Sequence, residues 1–179
     1  DLLIESVKTV EKQKKAVIFG KYVQDPERYG VANIDKNGDV NKIEEKPKNP
    51  ISNYAVVGLY FYPNSVINIS KKITPSERGE LEITSVNQKF LEHGNLKMKI
   101  LSRGFAWFDT GTHDTLSESA IFVKSVEKST GLKIACLEEI ALILKYISKE
   151  SLEDFDQYQP QGSYNSYVKK IFKSYNEDD

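Results

Sequence analysis

The stretch Arg103-Gly-Phe-Ala-Trp-Phe-Asp-Thr-Gly-Thr-His-Asp114 delivers a lone carboxylate, Asp109, to the end of a short aromatic run. Two-residue alternation puts Phe105, Trp107 and Asp109 on one face of a predicted strand. Thr110-Gly111 breaks that strand, and Thr112 is placed to cap a helix whose apolar positions are Leu116, Ala120, Val123 and Val126. Open α/β sheets place ligand chemistry at the carboxyl end of a strand beside a helix start; simple capping of the turn by Asp109 is the competing reading. Three further polar clusters precede it: Asp25-Pro-Glu-Arg-Tyr-Gly-Val31, Glu44-Glu-Lys-Pro47 and Pro75-Ser-Glu-Arg-Gly-Glu-Leu-Glu-Ile-Thr84.

These groups need a frame. Residues 2–13 read as a helix with Leu3, Val7 and Val10 on one stripe. Ala16-Val-Ile-Phe19 is a continuous apolar run, as expected of a strand covered on both faces. Residues 31–35 and 40–43 flank Asn37-Gly38, a pair that accepts positive φ and predicts a hairpin. Residues 44–53, with Pro47 and Pro50, read as a loop that presents Lys46 in extended geometry ahead of Pro47. Residues 54–62, aromatic and apolar on both parities, predict a central strand. Gly58 within it marks close approach of a ligand or of another backbone, a tightly packed helix being the alternative.

A helix starting at Asn64 or Ser65 carries Val66, Ile69 and Ile73, and another over 82–92 turns Ile83, Val86 and Phe90 inward before Gly94 stops it. Residues 96–101 predict a further strand. Beyond Lys133, one helical stripe comprises Leu137, Ile140, Ala141, Leu144 and Ile147. A second comprises Tyr164, Val168, Ile171, Phe172 and Tyr175. The polar residues 156–163 separate the two, and the acidic 177–179 end is expected to fray. The predicted division is an α/β body over 1–132 and a helical appendage over 133–179.

A chain of 179 residues, 39% hydrophobic and 28% charged, has the composition of a globular protein able to bury a core. Its net charge of −1 leaves no basic field for nucleic acid or anionic lipid. Cys136 has no partner for an internal disulfide, and no signal peptide or apolar run of spanning length stands out, which points to a cytoplasmic setting. The opening Asp1 leads us to expect a portion of a longer protein.

With the four clusters in this order, the chain resembles the sugar nucleotidyltransferases, most closely the glucose-1-phosphate thymidylyltransferases. The resemblance extends from the first residues to about Phe172, and its most specific parts are the runs 75–84 and 107–113. It implies an α/β fold: part of a Rossmann-like, three-layer α/β/α sandwich with a mixed sheet, followed by a C-terminal helical appendage. The family's Gly-rich triphosphate loop has no counterpart here, so the resemblance implies the C-terminal, sugar-binding portion of such an enzyme, inactive by itself.

By the same resemblance, Gly30, Glu45, Lys46, Val56, Tyr60 and Arg78 fall on sugar-phosphate-binding positions, and Trp107 beside them. Lys46, Arg78 and Asp109 fall on catalytic positions, Asp109 as one of two aspartates that hold Mg2+. The implied substrates are glucose 1-phosphate and dTTP, and the product dTDP-glucose serves deoxysugar biosynthesis of the dTDP-rhamnose type. The implied assembly is a homo-oligomer, a tetramer in the family. Residue chemistry agrees, since lysine is a compact point charge, arginine a fork for two phosphate oxygens, and magnesium a seeker of oxygen ligands. Read without the resemblance, Lys46 and Arg78 are solvated cations, Glu45 a member of a charged turn and Gly30 a turn glycine.

Arg103, Glu139 and Ile140 match a second, inhibitory nucleotide-type site, although Ile143 stands where a polar residue is commoner. Of the two histidines, His113 is discounted as a base because a sugar phosphate is already ionised. His93 is expected at a helix C-terminus. The rival functions are a non-catalytic sugar-phosphate-binding or assembly module and a UTP-using enzyme of the same fold.

Overall fold

The computed structural model of the chain describes residues 2–151 and 162–175. Its contacts divide it into two compact units, Asp1–Trp107 and Phe108–Asp179. The division thus precedes Lys133, where the texture of the sequence changes.

The first unit opens with α1 (Leu2–Gln13) and β1 (Ala16–Tyr22), then β2 (Gly30–Ile34), β3 (Val40–Glu45), β4 (Tyr54–Phe61), α2 (Val66–Ser70), α3 (Ile83–Glu92) and β5 (Leu96–Ile100). The strands form one sheet in the order β3-β2-β4-β1-β5, with β4 central as expected. β1 runs parallel to β5 and antiparallel to β4, and β2 is antiparallel to both β3 and β4, so the sheet is mixed. Residues 16–19 of β1 are fully buried, as a run covered on both faces requires.

One face packs Ile18, Ala32, Ile43 and Met98 against Val86 and Phe90 of α3. The other packs Val17, Phe19 and Val57 against Leu2 and Val10 of α1. Helices on both faces make three α/β/α layers.

Several expectations move by a residue or two. In α1 the sheet-facing positions are Leu2, Ser6 and Val10, while Leu3 and Val7 stay exposed. Ser6 fits because its hydroxyl donates to Leu2 O (2.8 Å) and needs no other partner. In α3 Ile83 is exposed, and Thr84 and Asn87 take inward positions beside Val86 and Phe90. β3 continues through Glu45, two residues into the expected loop, because Glu45 pairs opposite Gly30. α2 ends at Ser70, although Ile73 still packs on the core.

The hairpin forms as predicted, with Gly38 at φ 77°. Its tip crosses to the far edge of the sheet, where Gly38 O accepts from Met98 N (2.8 Å) of β5. Asp39 pairs there with Lys15 (3.0 Å) and Lys97 (3.3 Å).

The expected strand over residues 105–109 is absent; the segment after β5 is a turn and coil. A strand needs a ladder partner. Here the ammonium of Lys21 instead donates to Ser102 O (2.9 Å) and Phe105 O (2.8 Å).

The second unit contains α4 (His113–Thr130), α5 (Leu137–Ile143) and α6 (Ser163–Ser174). Thr112 caps α4, accepting from Thr115 N, and Thr115 returns the bond to the Thr112 amide. Cys136, Leu142, Val168 and Phe172 form this unit's core, matching the predicted stripe on α6. The stripe predicted on α5 is displaced: Leu142 is buried, whereas Leu137, Ile140 and Leu144 are exposed. α5 has seven residues and ends before Lys145, whose φ is 56°, so its helical register does not persist to Ile147. Of the polar 156–163 segment, all but residues 162 and 163 lie outside the described residues, as does the 177–179 end.

Candidate functional site

The α3-covered face of the sheet gathers Gly30, Glu45, Val56 and Tyr60, four of the residues picked out in the sequence. Gly30 begins β2, directly opposite Glu45 at the end of β3. A Cβ on Gly30 would lie 3.2 Å from Glu45 Oε2, 3.2 Å from Thr84 Oγ1 and 3.9 Å from Val56 Cβ. A side chain here would crowd the Glu45 and Thr84 oxygens, so glycine serves for space, its φ not being positive. Thr84, buried at the start of α3, donates its hydroxyl to Glu45 Oε2. That bond anchors one carboxylate oxygen; among the described residues Oε1 accepts no hydrogen bond.

Thr84 carried no role in the sequence reading, although it closes the 75–84 run. A hydroxyl at the second position of a helix, one turn after Glu80, was the available signal. Glu45 and Thr84 line a cleft of about 370 Å3, together with Ser76, Glu82, Ser85 and Gln88.

Tyr60 stacks on Tyr62 (5.8 Å between centroids), which stacks in turn on Phe90 (5.4 Å). Tyr62 Oη donates to Oδ1 of fully buried Asn87 (2.6 Å), fixing the column. Burial first, and the Glu45 carboxylate second, push the Tyr60 phenol above its ordinary range. It stays protonated at neutral pH and keeps a donor beside an acceptor. Gly58, between Val56 and Tyr60 on their parity, is exposed, and a Cβ there would meet nothing within 4 Å. Among the described residues no helix packs on it, so space is left there for close approach.

Lys46 departs from expectation. Its φ is 41°, in the left-handed region, although it precedes Pro47. The bond from Lys46 N to Tyr29 O (3.0 Å) holds it there. Such strain in a non-glycine residue persists only where the surroundings impose it.

Arg78 sits in a loop turned by Gly79 (φ 77°), half-exposed, 3.2 Å from Glu82 and 3.3 Å from Glu80. It is thus already paired with carboxylates. Trp107 packs in the α1-side cluster and meets Tyr29 edge-on (5.1 Å). Arg103 is exposed in the turn after β5.

Asp109, Glu139 and Ile140 belong to the second unit. Asp109 is exposed, two residues ahead of Gly111. Glu139 accepts from Tyr167 Oη (2.7 Å), tying α5 to α6, and Ile140 is exposed. His93 caps α3, its Nδ1 lying 2.7 Å from Lys89 O, as a C-terminal histidine should. Among the described residues no three His, Cys, Asp or Glu side chains gather to hold a metal ion. Asp109 offers one hard oxygen ligand, and these residues alone do not complete a magnesium shell. No helix among the described residues is long and apolar enough to cross a membrane.

A mixed sheet between helices, with a carboxylate, a buried hydroxyl and a phenol on one face, fits an α/β transferase. The sequence model for the nucleotidyl transferases matches residues 2–126, and the chain belongs to that family. Its relatives include glucose-1-phosphate thymidylyltransferases of Neisseria meningitidis serogroup A, 46% identical over 88% of this chain and 55% of that protein, and of Xanthomonas campestris, 44% identical over 90% and 55%. The Mycobacterium tuberculosis enzyme of the same name is 40% identical over 94% of this chain and 58% of its own length. The chain spans about half the length of the curated relatives it matches.

Among solved structures, a Bacillus anthracis protein provisionally named a glucose-1-phosphate thymidylyltransferase, in complex with sucrose, is 42% identical. It superposes with a TM-score of 0.58 over 68% of this chain and 49% of that one. A UDP-glucose pyrophosphorylase with UDP-glucose, 20% identical at TM-score 0.58, shares the fold.

Proposed function

We propose that this chain carries the sugar-phosphate side of a glucose-1-phosphate thymidylyltransferase, which joins glucose 1-phosphate and dTTP into dTDP-glucose and releases pyrophosphate. The observation that carries the reading is the convergence of Gly30, Glu45, Val56, Tyr60 and Thr84 beside the open Gly58. Glu45 Oε1 accepts from sugar hydroxyls while Thr84 holds Oε2, and the protonated Tyr60 phenol donates. Lys46 faces the phosphate as a point charge. Arg78 adds a bidentate contact after exchanging Glu80 and Glu82 for phosphate oxygens.

An ionised oxygen of the sugar phosphate attacks the α-phosphorus in line; the new P–O bond forms as the bond to the leaving pyrophosphate breaks. No base is required, and the chain's contribution is orientation and charge. Asp109 would supply one carboxylate ligand to Mg2+, which when bound neutralises phosphate charge. The dTTP pocket, in this reading, is carried by residues outside this chain. Arg103, Glu139 and Ile140 serve a regulatory site, the assembly is a homo-oligomer, and the product enters deoxysugar biosynthesis of the dTDP-rhamnose type in the cytoplasm.

Pyrophosphate release from dTTP, glucose 1-phosphate and Mg2+ tests the proposal, using this chain alone and mixed with an N-terminal half from a matched relative. Activity is expected only in the mixture, and Asp109→Asn should lower it by about two orders of magnitude or more. Turnover by this chain alone, or by neither sample, refutes the assignment.

A further inference from the structure

On the α3-covered side of the first unit, next to the Glu45 cleft, lies a second cleft of about 440 Å3. Its floor is apolar: Ile69 and Ile73 from the α2 segment and Phe90 from α3, only 3% exposed. Its rim carries the lysines Lys14, Lys72 and Lys89 with His93 beside them, and among the described residues no carboxylate lines it. Lys89 is neutralised by Glu92 at 2.9 Å. Among the described residues, neither Lys14 nor Lys72 pairs with a carboxylate. The charge of Lys14 and Lys72 therefore remains available over an apolar floor.

Two details favour an anion here. The C-terminal carbonyls of α3, which would repel one, are largely occupied. Phe90 O accepts from Asn95 N (2.9 Å), Leu91 O from Gly94 N (2.8 Å), and Lys89 O faces His93 Nδ1 (2.7 Å). With Nδ1 engaged by Lys89 O, the charge of an anion falls to Lys14 and Lys72 rather than to His93. Lys14 ends α1 at φ 56°, a position where glycine is the unstrained choice, so a cation stands on the rim despite local strain. The Asn68 and Asn95 amides on the wall add hydrogen-bonding capacity.

We propose that this cleft binds a small amphipathic anion: a carboxylate or phosphate ester whose aromatic or branched apolar body lies on Ile69, Ile73 and Phe90 while Lys14 and Lys72 hold its charge. A volume of this order suits a small molecule. The site shares the Lys72–Ile73 wall with the Glu45 cleft but differs from it in chemistry, having no carboxylate to accept sugar hydroxyls.

Phenyl phosphate is the probe, followed by amide chemical shifts of the full 179-residue chain. It should shift Asn68, Ile73, His93 and Asn95. Inorganic phosphate, benzyl alcohol and glucose 1-phosphate should each bind there at least about tenfold more weakly. Lys14→Ala with Lys72→Ala, two exposed changes that leave the fold intact by thermal melt, should raise the Kd at least about tenfold and flatten its salt dependence. No shift at these amides at about 10 mM phenyl phosphate would overturn the proposal. So would equal binding by benzyl alcohol, by inorganic phosphate or by glucose 1-phosphate, or a double variant that binds as tightly as the parent.

Discussion

Replacing Thr84 by valine removes one hydroxyl and changes little else in size. The hydroxyl donates to Glu45 Oε2, and Thr84 is only 8% exposed. Hydrogen bonds to charged groups contribute about 1.5–3 kcal/mol. Glu45 is half-buried, so water recovers part of that, and we expect a loss of about 1–2 kcal/mol. With a urea m-value of about 2 kcal/mol/M, the midpoint falls by roughly 0.5–1 M. Thr84→Ser, which keeps the donor, should lose less than half as much.

The cause can be isolated. Gly30→Ala brings a methyl within 3.2 Å of both Glu45 Oε2 and Thr84 Oγ1, and should cost about 1–3 kcal/mol by crowding the same pair. Combined with Thr84→Ala, which clears the space, its penalty should shrink by at least about 0.5 kcal/mol. Equilibrium urea unfolding of the five variants, Thr84→Val, Thr84→Ser, Gly30→Ala, Thr84→Ala and the Gly30→Ala/Thr84→Ala double, beside the parent decides the matter. If Thr84→Val unfolds at the parent's midpoint, or if Gly30→Ala and Thr84→Ala simply add, the Glu45–Thr84 bond does not organise this face.

Other expectations follow from individual residues. Lys46→Gly relieves a left-handed φ and should stabilise the chain by about 1 kcal/mol, while glucose 1-phosphate titration shows affinity falling with the lost charge. Asp39 has its carboxyl held below the usual range by the Lys15 hydrogen bond first, with Lys97 adding to it against a burial cost. A depressed folded value contributes stability above the unfolded carboxylate range, near pH 4, that is lost as pH falls through the folded value. Asp39→Asn should therefore lower stability near neutral pH by no more than about 1 kcal/mol and flatten melting temperature against pH below about 4. Phe172→Ala, at a residue 1% exposed, should cost about 3–5 kcal/mol and remove hydrogen-exchange protection from α5 and α6.

The frame was legible where one interaction dominates a segment. A buried run such as 16–19 admits only a doubly covered strand, Asn37-Gly38 needs positive φ, and Thr112 satisfies helix amides from within four residues. It was less legible where the answer depends on a distant partner. The alternation over 105–109 suits a strand, but Lys21 takes the carbonyl of Phe105 and that of Ser102 just before it, and no sequence pattern reports that contact. Apolar stripes on α1 and α5 were misplaced by a residue because a short helix buries whichever side its neighbour covers; Ser6 is buried once its hydroxyl bonds backward. Glu45, Tyr60 and Gly30 were nameable from motif order, but their meeting point, Thr84, depends on α3 crossing the end of β3. Lys46 shows the limit of a local rule: the residue before a proline favours extended geometry, and a bond to Tyr29 overrides it.

The crossing of the hairpin tip to β5 bears on how this chain behaves in a crowded solution. β5 is the last strand of the sheet, and an open outer strand is a template on which a second chain could add. Gly38 O occupies the outward amide of Met98, and the Asp39–Lys97 pair sets charge beside it. The turn therefore acts as a stopper, using a glycine that could not gain a side chain, since a Cβ there would stand 2.9 Å from Met98 O. The same few residues that reverse the chain also take up one of the outward amides of β5 that a second molecule would need.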